Sequence, residues 1–253
     1  MSAASSSCFL ELSMGDPVEN AAERDAYARA RAFLTTCGSR YGITSRNMDD
    51  LSKMEKRTLR EVYASDPTWS KKGPCRTRLP KNLRIGRLEI ALNEADAPRA
   101  CENFRRLCDG AGPSKANKSK ALHYLNCRFH RIQKGVLLQS GDFVRGDGSA
   151  GESVFGKKFK DEKGGLRRKH DAPGIVGMAN KGKNSNTSQF YIALKPLPDL
   201  DGKYVVFGRV TNEDGLKVLA RVGEEAGSDG GEPKVGVWIS ACGGKGRPGR
   251  GVS

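Results

Sequence analysis

The sequence predicts a mainly β protein, a closed or nearly closed β-barrel carrying few helices. Two observations point there. Short apolar runs, "CRFHRI", "GIVGMAN", "SQFYIAL", "YVVFGRV" and "VGVWISAC", recur between Gly- and Asn-rich turns in the second half of the chain. Only two stretches among them have helical spacing, and strands at such spacing with so few helices suggest a closed or nearly closed barrel. A third observation sets the rest apart: ahead of residue 83 the texture is helical.

Residues 16–38 read as a helix with marked ends. Asp16 can cap it, Pro17 suits the first helical position, and Gly38 follows the last turn. A second helix begins near "SKME", where Ser52 and Glu55 have capping-box spacing, and carries Leu59, Val62 and Tyr63. The segment 65–82 is dense in Pro, Gly, Lys and Arg and reads as an irregular connection. "LRIGRLEIAL" then alternates like a strand, and "EADAPRACENFRRLC" turns to helical spacing, with Ala100, Phe104 and Leu107 on one face. The other helix among the strands is "EDGLKVLARVG", 213–223. The closing residues 243–253 hold too little apolar content to pack and read as a flexible basic tail.

At 253 residues the chain can bury a proper core. Its formal charge of +15 suits acidic partners, protein tails or RNA. No apolar run approaches the roughly 20 residues that cross a bilayer, and the N-terminus lacks the basic start of a secretory signal. Seven scattered cysteines without a C-x-x-C pair fit reduced thiols in a cytosolic or nuclear protein better than a disulfide framework or a zinc site. The three histidines share no metal-ligand spacing.

Common catalytic signatures are missing or out of context. "GDGSAG" places Gly146, Gly148 and Gly151 in a G-x-G-x-x-G pattern, but the charged, Gly-interrupted segment after it does not open a helix, as a dinucleotide loop requires. No serine sits in a G-x-S-x-G elbow. The lysine-rich pieces "KANKSK" and "KGK" lack the aromatics that stack single-stranded bases, and read as solvated loops.

Four stretches taken together, "FHRI…QSGDF", "GESVFGKKFKDE", "GIVGMANKGKNSNTSQFYIAL" and "LDGKYVVFGRV", resemble the cyclophilins over about 83–242. The resemblance implies an eight-stranded antiparallel barrel capped by two helices. It also implies peptidyl-prolyl cis–trans isomerase activity that needs no cofactor and acts on proline-containing protein or peptide segments. "CFLELSMGD", 8–16, is similar to the family's first strand. On that reading 8–16 and 83–242 form the barrel and 17–82 is a helical insertion that can dock a large assembly. The alternative is an N-terminal extension, with another segment closing the barrel; 65–82 offers no substitute strand.

In the family the arginine of F-H-R, here Arg131, is the donor to the twisting amide. Gln139 would hold the substrate carbonyl and help orient that arginine. Ala179 and Asn180 of "MAN" would meet the peptide, Asn180 through its backbone, while Gln189 and the turn at Gly148 shape the neighbouring pocket. The proline pocket would be lined by Val136, Leu137, Tyr191 and Leu200, with Tyr204 at its rim. His130 would be structural, since the reaction has no use for a proton shuttle.

The chain departs from the family at several of these places. Val136 and Leu137 stand where an aromatic and a methionine are usual, which implies a weaker grip on the proline ring. Ser140 replaces the first glycine of Q-G-G-D and is expected to narrow the backbone approach. Lys181 replaces a small residue and adds charge at the groove's edge. Asp199 stands for a tryptophan, so weak cyclosporin binding is expected. The "MANKG…SNTSQFYI" run is also similar to cilium-associated members, which makes the cilium or axoneme a second expected location beside the cytoplasm, with the nucleus less favoured.

Overall fold

A computed structural model of the chain describes residues 6–245. Its described residues divide into two compact units, one formed by 6–14 together with 84–245, the other by Gly15–Leu83.

The first unit is built on eight strands: β1 Ser7–Met14, β2 Arg84–Leu92, β3 Arg131–Gln133, β4 Leu137–Ser140, β5 Ile175–Met178, β6 Phe190–Ala193, β7 Val206–Val210 and β8 Val237–Lys245. They form one antiparallel sheet in the order β3-β4-β6-β5-β7-β2-β1-β8. The two ends of that order meet. Arg128, just ahead of β3, bridges Trp238 of β8, and Phe129 N–H donates to Val237 O at 2.9 Å. The sheet therefore curls back on itself, which leaves few unpaired edge groups.

Alternation decides what fills the curl. Successive strand residues face opposite sides, and Ile132, Leu138, Ile192 and Val176 lie in one register row with no exposed surface. Phe104, Phe190 and Phe207 join them in the interior, with Phe104 edge-on to Phe190 at 5.1 Å. The helix α3, Pro98–Asp109, supplies Phe104, Leu107 and Cys108 to this core, and α5, Glu213–Glu225, supplies Val218, Leu219 and Val222. These are the two helices expected.

The second unit holds α1, Pro17–Cys37, and α2, Lys53–Ser65. Asp16 accepts from Val18 N–H at 2.8 Å and Glu19 N–H at 3.0 Å, and Ser52 and Glu55 close the capping box. Phe33, Leu34, Met48, Leu59 and Tyr63 make a separate core, with Tyr63 edge-on to Phe33 at 5.2 Å. The connection 65–82 contains a short 3-10 turn, Ser70–Lys72, and is otherwise irregular; Tyr63 Oη donates to Gly73 O at 3.1 Å and Asn20 Nδ2 to Lys81 O at 2.9 Å. In chain order this unit lies between β1 and β2, which pair along their length from Ser7↔Ala91 to Ser13↔Arg84.

Three details differ from the sequence reading. β4 was not among the apolar runs singled out, because four residues beginning after a turn show too little alternation. A short helix α4, Lys163–Arg167, was also missed. Its Gly164–Gly165 pair argues against helix by propensity, yet a Cβ on Gly164 would meet the backbone of Asp96, so close packing requires glycine there. Finally, β8 runs on to Lys245, with Gly243 and Gly244 paired to Phe9 and Cys8, so the tail does not start at 243. Residues 246–253 lie outside the described part of the chain. Among the described residues no helix is long and apolar enough to cross a membrane.

Candidate active site

The face of the curled sheet opposite the core carries the candidate site. Arg131 on β3 pairs with Gln139 on β4, Gln139 with Tyr191 on β6, and Tyr191 with Gly177 on β5. Directly opposed residues in an antiparallel sheet share a face, so these four form one outward row. The next outward row runs Gln133–Leu137–Ala193. Arg131, Gln139, Leu137 and Tyr191 are thus brought together by register alone.

Arg131 is exposed, and its stem lies against Gly231. The segment carrying Gly231 is tied alongside β3 by Ile132 N–H donating to Gly231 O at 2.8 Å and Ser228 N–H donating to Ile132 O at 3.1 Å. Its guanidinium donates to Gln133 Oε1 at 3.1 Å. Gln133 sits two residues along the same strand and face, so it reaches the arginine first. Gln139 does not orient the arginine here: its amide instead donates to Gln189 Oε1 at 2.8 Å.

Gln189, 7% exposed, is a clamp. Its amide nitrogen donates to Gly148 O at 2.9 Å and Ala150 O at 2.5 Å. The same loop is held from its other side by fully buried Asp142. That carboxylate accepts from Val144 N–H (3.2 Å), Arg145 N–H (2.9 Å), Gly148 N–H (2.9 Å) and Ala150 N–H (3.1 Å). Four backbone donors satisfy both oxygens, so the loop at Gly148 is fixed rather than free. The only earlier hint of this role was the acid just ahead of a glycine-rich stretch.

Gln139, Gly148, Ala179, Asn180 and Gln189 line a cavity of about 240 Å³. Asn180 spends its side chain locally, donating to Asn186 Oδ1 at 2.9 Å and accepting from Gly182 N–H at 3.2 Å. Its main-chain groups make no hydrogen bond among the described residues, which leaves them for a peptide. Lys181 stands at this cavity and donates from Nζ to Ser149 O at 2.9 Å.

The residues expected around a proline ring are placed as follows. Val136 lies in the turn between β3 and β4, half-buried like Leu137, and Leu194 N–H donates to Val136 O at 2.8 Å. Leu200 ends a 3-10 turn, Pro198–Leu200, and accepts from Tyr204 N–H at 3.3 Å; Tyr204 packs edge-on to Tyr191 at 6.0 Å. Tyr191 itself is 3% exposed and lies across Gly177, where any Cβ would strike the phenol.

Tyr191 also reaches a group that the sequence did not mark. Its hydroxyl lies 2.6 Å from His170 Nε2, and His170 Nδ1 lies 2.8 Å from Asp201 Oδ1. Burial pushes the Tyr191 phenol well up, so it keeps its proton and donates to Nε2, which leaves Nδ1–H to donate to the Asp201 carboxylate. The His170 side chain and backbone, then Lys169, hold Asp201 down at about 2. This chain of bonds fixes the Tyr191 ring from beneath.

Ser140 needs correction. Alternation turns it to the core face, where it is fully buried and donates to Arg128 O at 2.9 Å, so it does not narrow the groove. His130 packs on Gly148, burial pulls it below the usual imidazole range, and neither ring nitrogen has a partner. A neutral ring filling space under the loop is a structural part. No group of His, Cys, Asp or Glu among the described residues is arranged to hold a metal.

Comparison with known proteins gives the family. Residues 80–244 match the family described as cyclophilin type peptidyl-prolyl cis-trans isomerase/CLD. The chain is 45% identical over 159 residues to peptidyl-prolyl cis-trans isomerase 9 of Caenorhabditis elegans, covering 63% of this chain and 50% of that protein. It is 44% identical over 160 residues to peptidyl-prolyl cis-trans isomerase cyp11 of Rhizopus delemar, covering 63% and 46%. The chain thus spans about half the length of the curated relatives it matches. A family match over residues 80–244, on an eight-stranded antiparallel barrel, means that the chain belongs to the cyclophilin-type peptidyl-prolyl cis–trans isomerases.

Proposed function

We propose that the barrel catalyses cis–trans isomerisation of X-Pro bonds in protein clients, with Arg131 as the catalytic donor. The observation that carries this is the outward row Arg131–Gln139–Tyr191, an unneutralised arginine beside a fixed amide and an aromatic floor.

The chemistry asks for little else. Twisting the bond costs about 18–20 kcal/mol because amide resonance is lost, yet no bond breaks, so neither nucleophile nor titrating acid is required. The imide nitrogen gains lone-pair character only as it pyramidalises. A donor aimed there favours the twisted amide over the planar one, which is selective for the transition state. The arginine suits this because its charge is permanent, and its single bond to Gln133 leaves other donors of the guanidinium unspent. Gln139 and the main chain of Asn180 would hold the peptide, while Val136, Leu137, Leu200 and Tyr204 would grip the ring. Valine in place of an aromatic removes contact worth on the order of 1–2 kcal/mol, so activity is reduced or narrowed. Asp199 offers no indole, and cyclosporin binds weakly.

NMR exchange spectroscopy on a prolyl peptide tests this. Native protein should accelerate exchange, and Arg131→Ala should lose about 100-fold of it, the usual cost of deleting a transition-state donor. Equal, background-level exchange with both proteins would sink the reading.

A second role rests on the Gly15–Leu83 unit, which has its own caps and core. It would dock the protein to a larger assembly with acidic surfaces, in the cytoplasm or at a cilium, while the barrel holds a proline segment there.

A further inference from the structure

We propose that the cavity beside Gln139 and Asn180 is a subsite for an acidic side chain of the client, close to its X-Pro bond, and that Lys158 and Lys181 select it. This rests on the reading that the X-Pro bond lies along Arg131 and Gln139. The cavity shares Gln139, Ala179 and Asn180 with that groove, so a residue near the proline in sequence is the one that enters it.

Its lining is one-sided in charge. Lys158 and Lys181 are the only ionised side chains in its lining, which also includes Ser149, Ser185 and Thr187. Neither lysine pairs with a carboxylate among the described residues. The carboxylates on adjoining segments are committed elsewhere. Asp142 is saturated by loop amides, and Asp147 accepts from Ser149 N–H at 2.8 Å. Glu152 accepts from Ser114 Oγ at 2.5 Å and Ala116 N–H at 3.0 Å, and Asp161 from Asn184 N–H at 2.7 Å and Asn186 Nδ2 at 2.8 Å.

Lys181 reaches over to Ser149 O at 2.9 Å, so its ammonium is held at the cavity rather than waving in solvent. An ammonium has three donors, and one bond to a carbonyl leaves the others for a carboxylate. Both lysines are exposed, so each pair is worth what a surface ion pair is worth and the preference is modest. A basic side chain entering the same space would meet two like charges, and such repulsion gives selectivity as surely as attraction does.

The test uses the full chain and a peptide set sharing one X-Pro core, with Glu, Gln or Lys placed in turn at the flanking positions. Affinity is read by NMR titration and exchange in the same samples. At the position that reaches the cavity, Glu should bind about fivefold more tightly than Gln, and Lys more weakly than either. The difference should shrink as salt rises past about 0.5 M, where screening shortens to a few ångströms. In the double variant Lys158→Glu, Lys181→Glu the order should invert. Equal affinity for Glu and Gln peptides at every position, or a Glu preference surviving charge reversal, would overturn the proposal. Glu preference with background exchange for all peptides would keep the subsite and remove the isomerase reading. Arg131-dependent exchange without charge preference would do the opposite.

Discussion

The residue that most clearly separates local chemistry from pattern is Asp201. Its carboxylate accepts from His170 N–H at 2.9 Å and from Nδ1 at 2.8 Å, and Lys169 Nζ lies 3.2 Å away. Those partners hold it at about 2 against an ordinary value of 3.8. The folded state therefore binds its proton less readily than the unfolded chain does. The contribution to stability is complete above the ordinary value and is lost as pH falls through about 2. Acid should therefore release His170, and with it the bond that steadies Tyr191. Thermal melts of native protein and Asp201→Asn between pH 5 and pH 2 check this: the melting temperatures should converge as the pH drops. A gap that stays constant over that range would show that the carboxylate's charge plays no part. None of this was readable beforehand, because His170 lies ahead of β5, Tyr191 on β6 and Asp201 past the turn that follows β6, and the fold alone brings them together.

At the scale of elements, the ends of helices show which signals travel in sequence. Asp16 and the Ser52–Glu55 box were legible because a cap is local, and both caps form as read. α3 is different. Its N-cap position is Ala97, which has no capping side chain, and the first turn is served from far away by Glu162. That carboxylate accepts from Arg99 N–H at 2.8 Å and Ala100 N–H at 2.9 Å, filling orphan donors and facing the positive end of the helix. Glu162→Ala should cost about 1 kcal/mol of stability, the typical worth of a cap. Glu162→Gln, which keeps one acceptor oxygen, should lose less. Chemical denaturation measures both, and identical losses would mean that the contact is packing rather than capping. The strands divide in the same way. β2 alternates visibly and β1 was reached through the resemblance, whereas β3 and β4 owe their place to pairing with each other, with β6 and with the 228–231 segment. The outward row of Arg131, Gln139 and Tyr191 was reached through resemblance to a family. Nothing in the residue pattern itself pairs them, and only register explains why they share a face.

For the molecule as a whole, the question is how a barrel tolerates a second unit between its first two strands. Ser13 pairs with Arg84, so β1 ends where β2 begins and a tight turn could join them. An unstructured loop of the length of Gly15–Leu83 would instead add on the order of 3 kcal/mol of closure entropy. The inserted segment avoids most of that cost by folding on itself. Gly15 packs against Leu83, which brings its two ends together, and Phe33, Leu59 and Tyr63 give it a core of its own. The barrel's row of Arg131, Gln139 and Tyr191 draws on β3, β4 and β6, none of which borders the insertion point. Replacing 15–83 by an Asn-Gly turn should therefore leave a folded barrel whose kcat/KM on a short prolyl peptide stays within about twofold of the full chain, the scatter expected of uncoupled sites. The excised 15–83 peptide should keep helical circular dichroism and melt cooperatively. Loss of peptide isomerisation in the shortened chain, with its β-sheet spectrum intact, would show that the inserted unit takes part in catalysis. Retained peptide turnover with lost association in cell extracts would instead place the unit's role in docking.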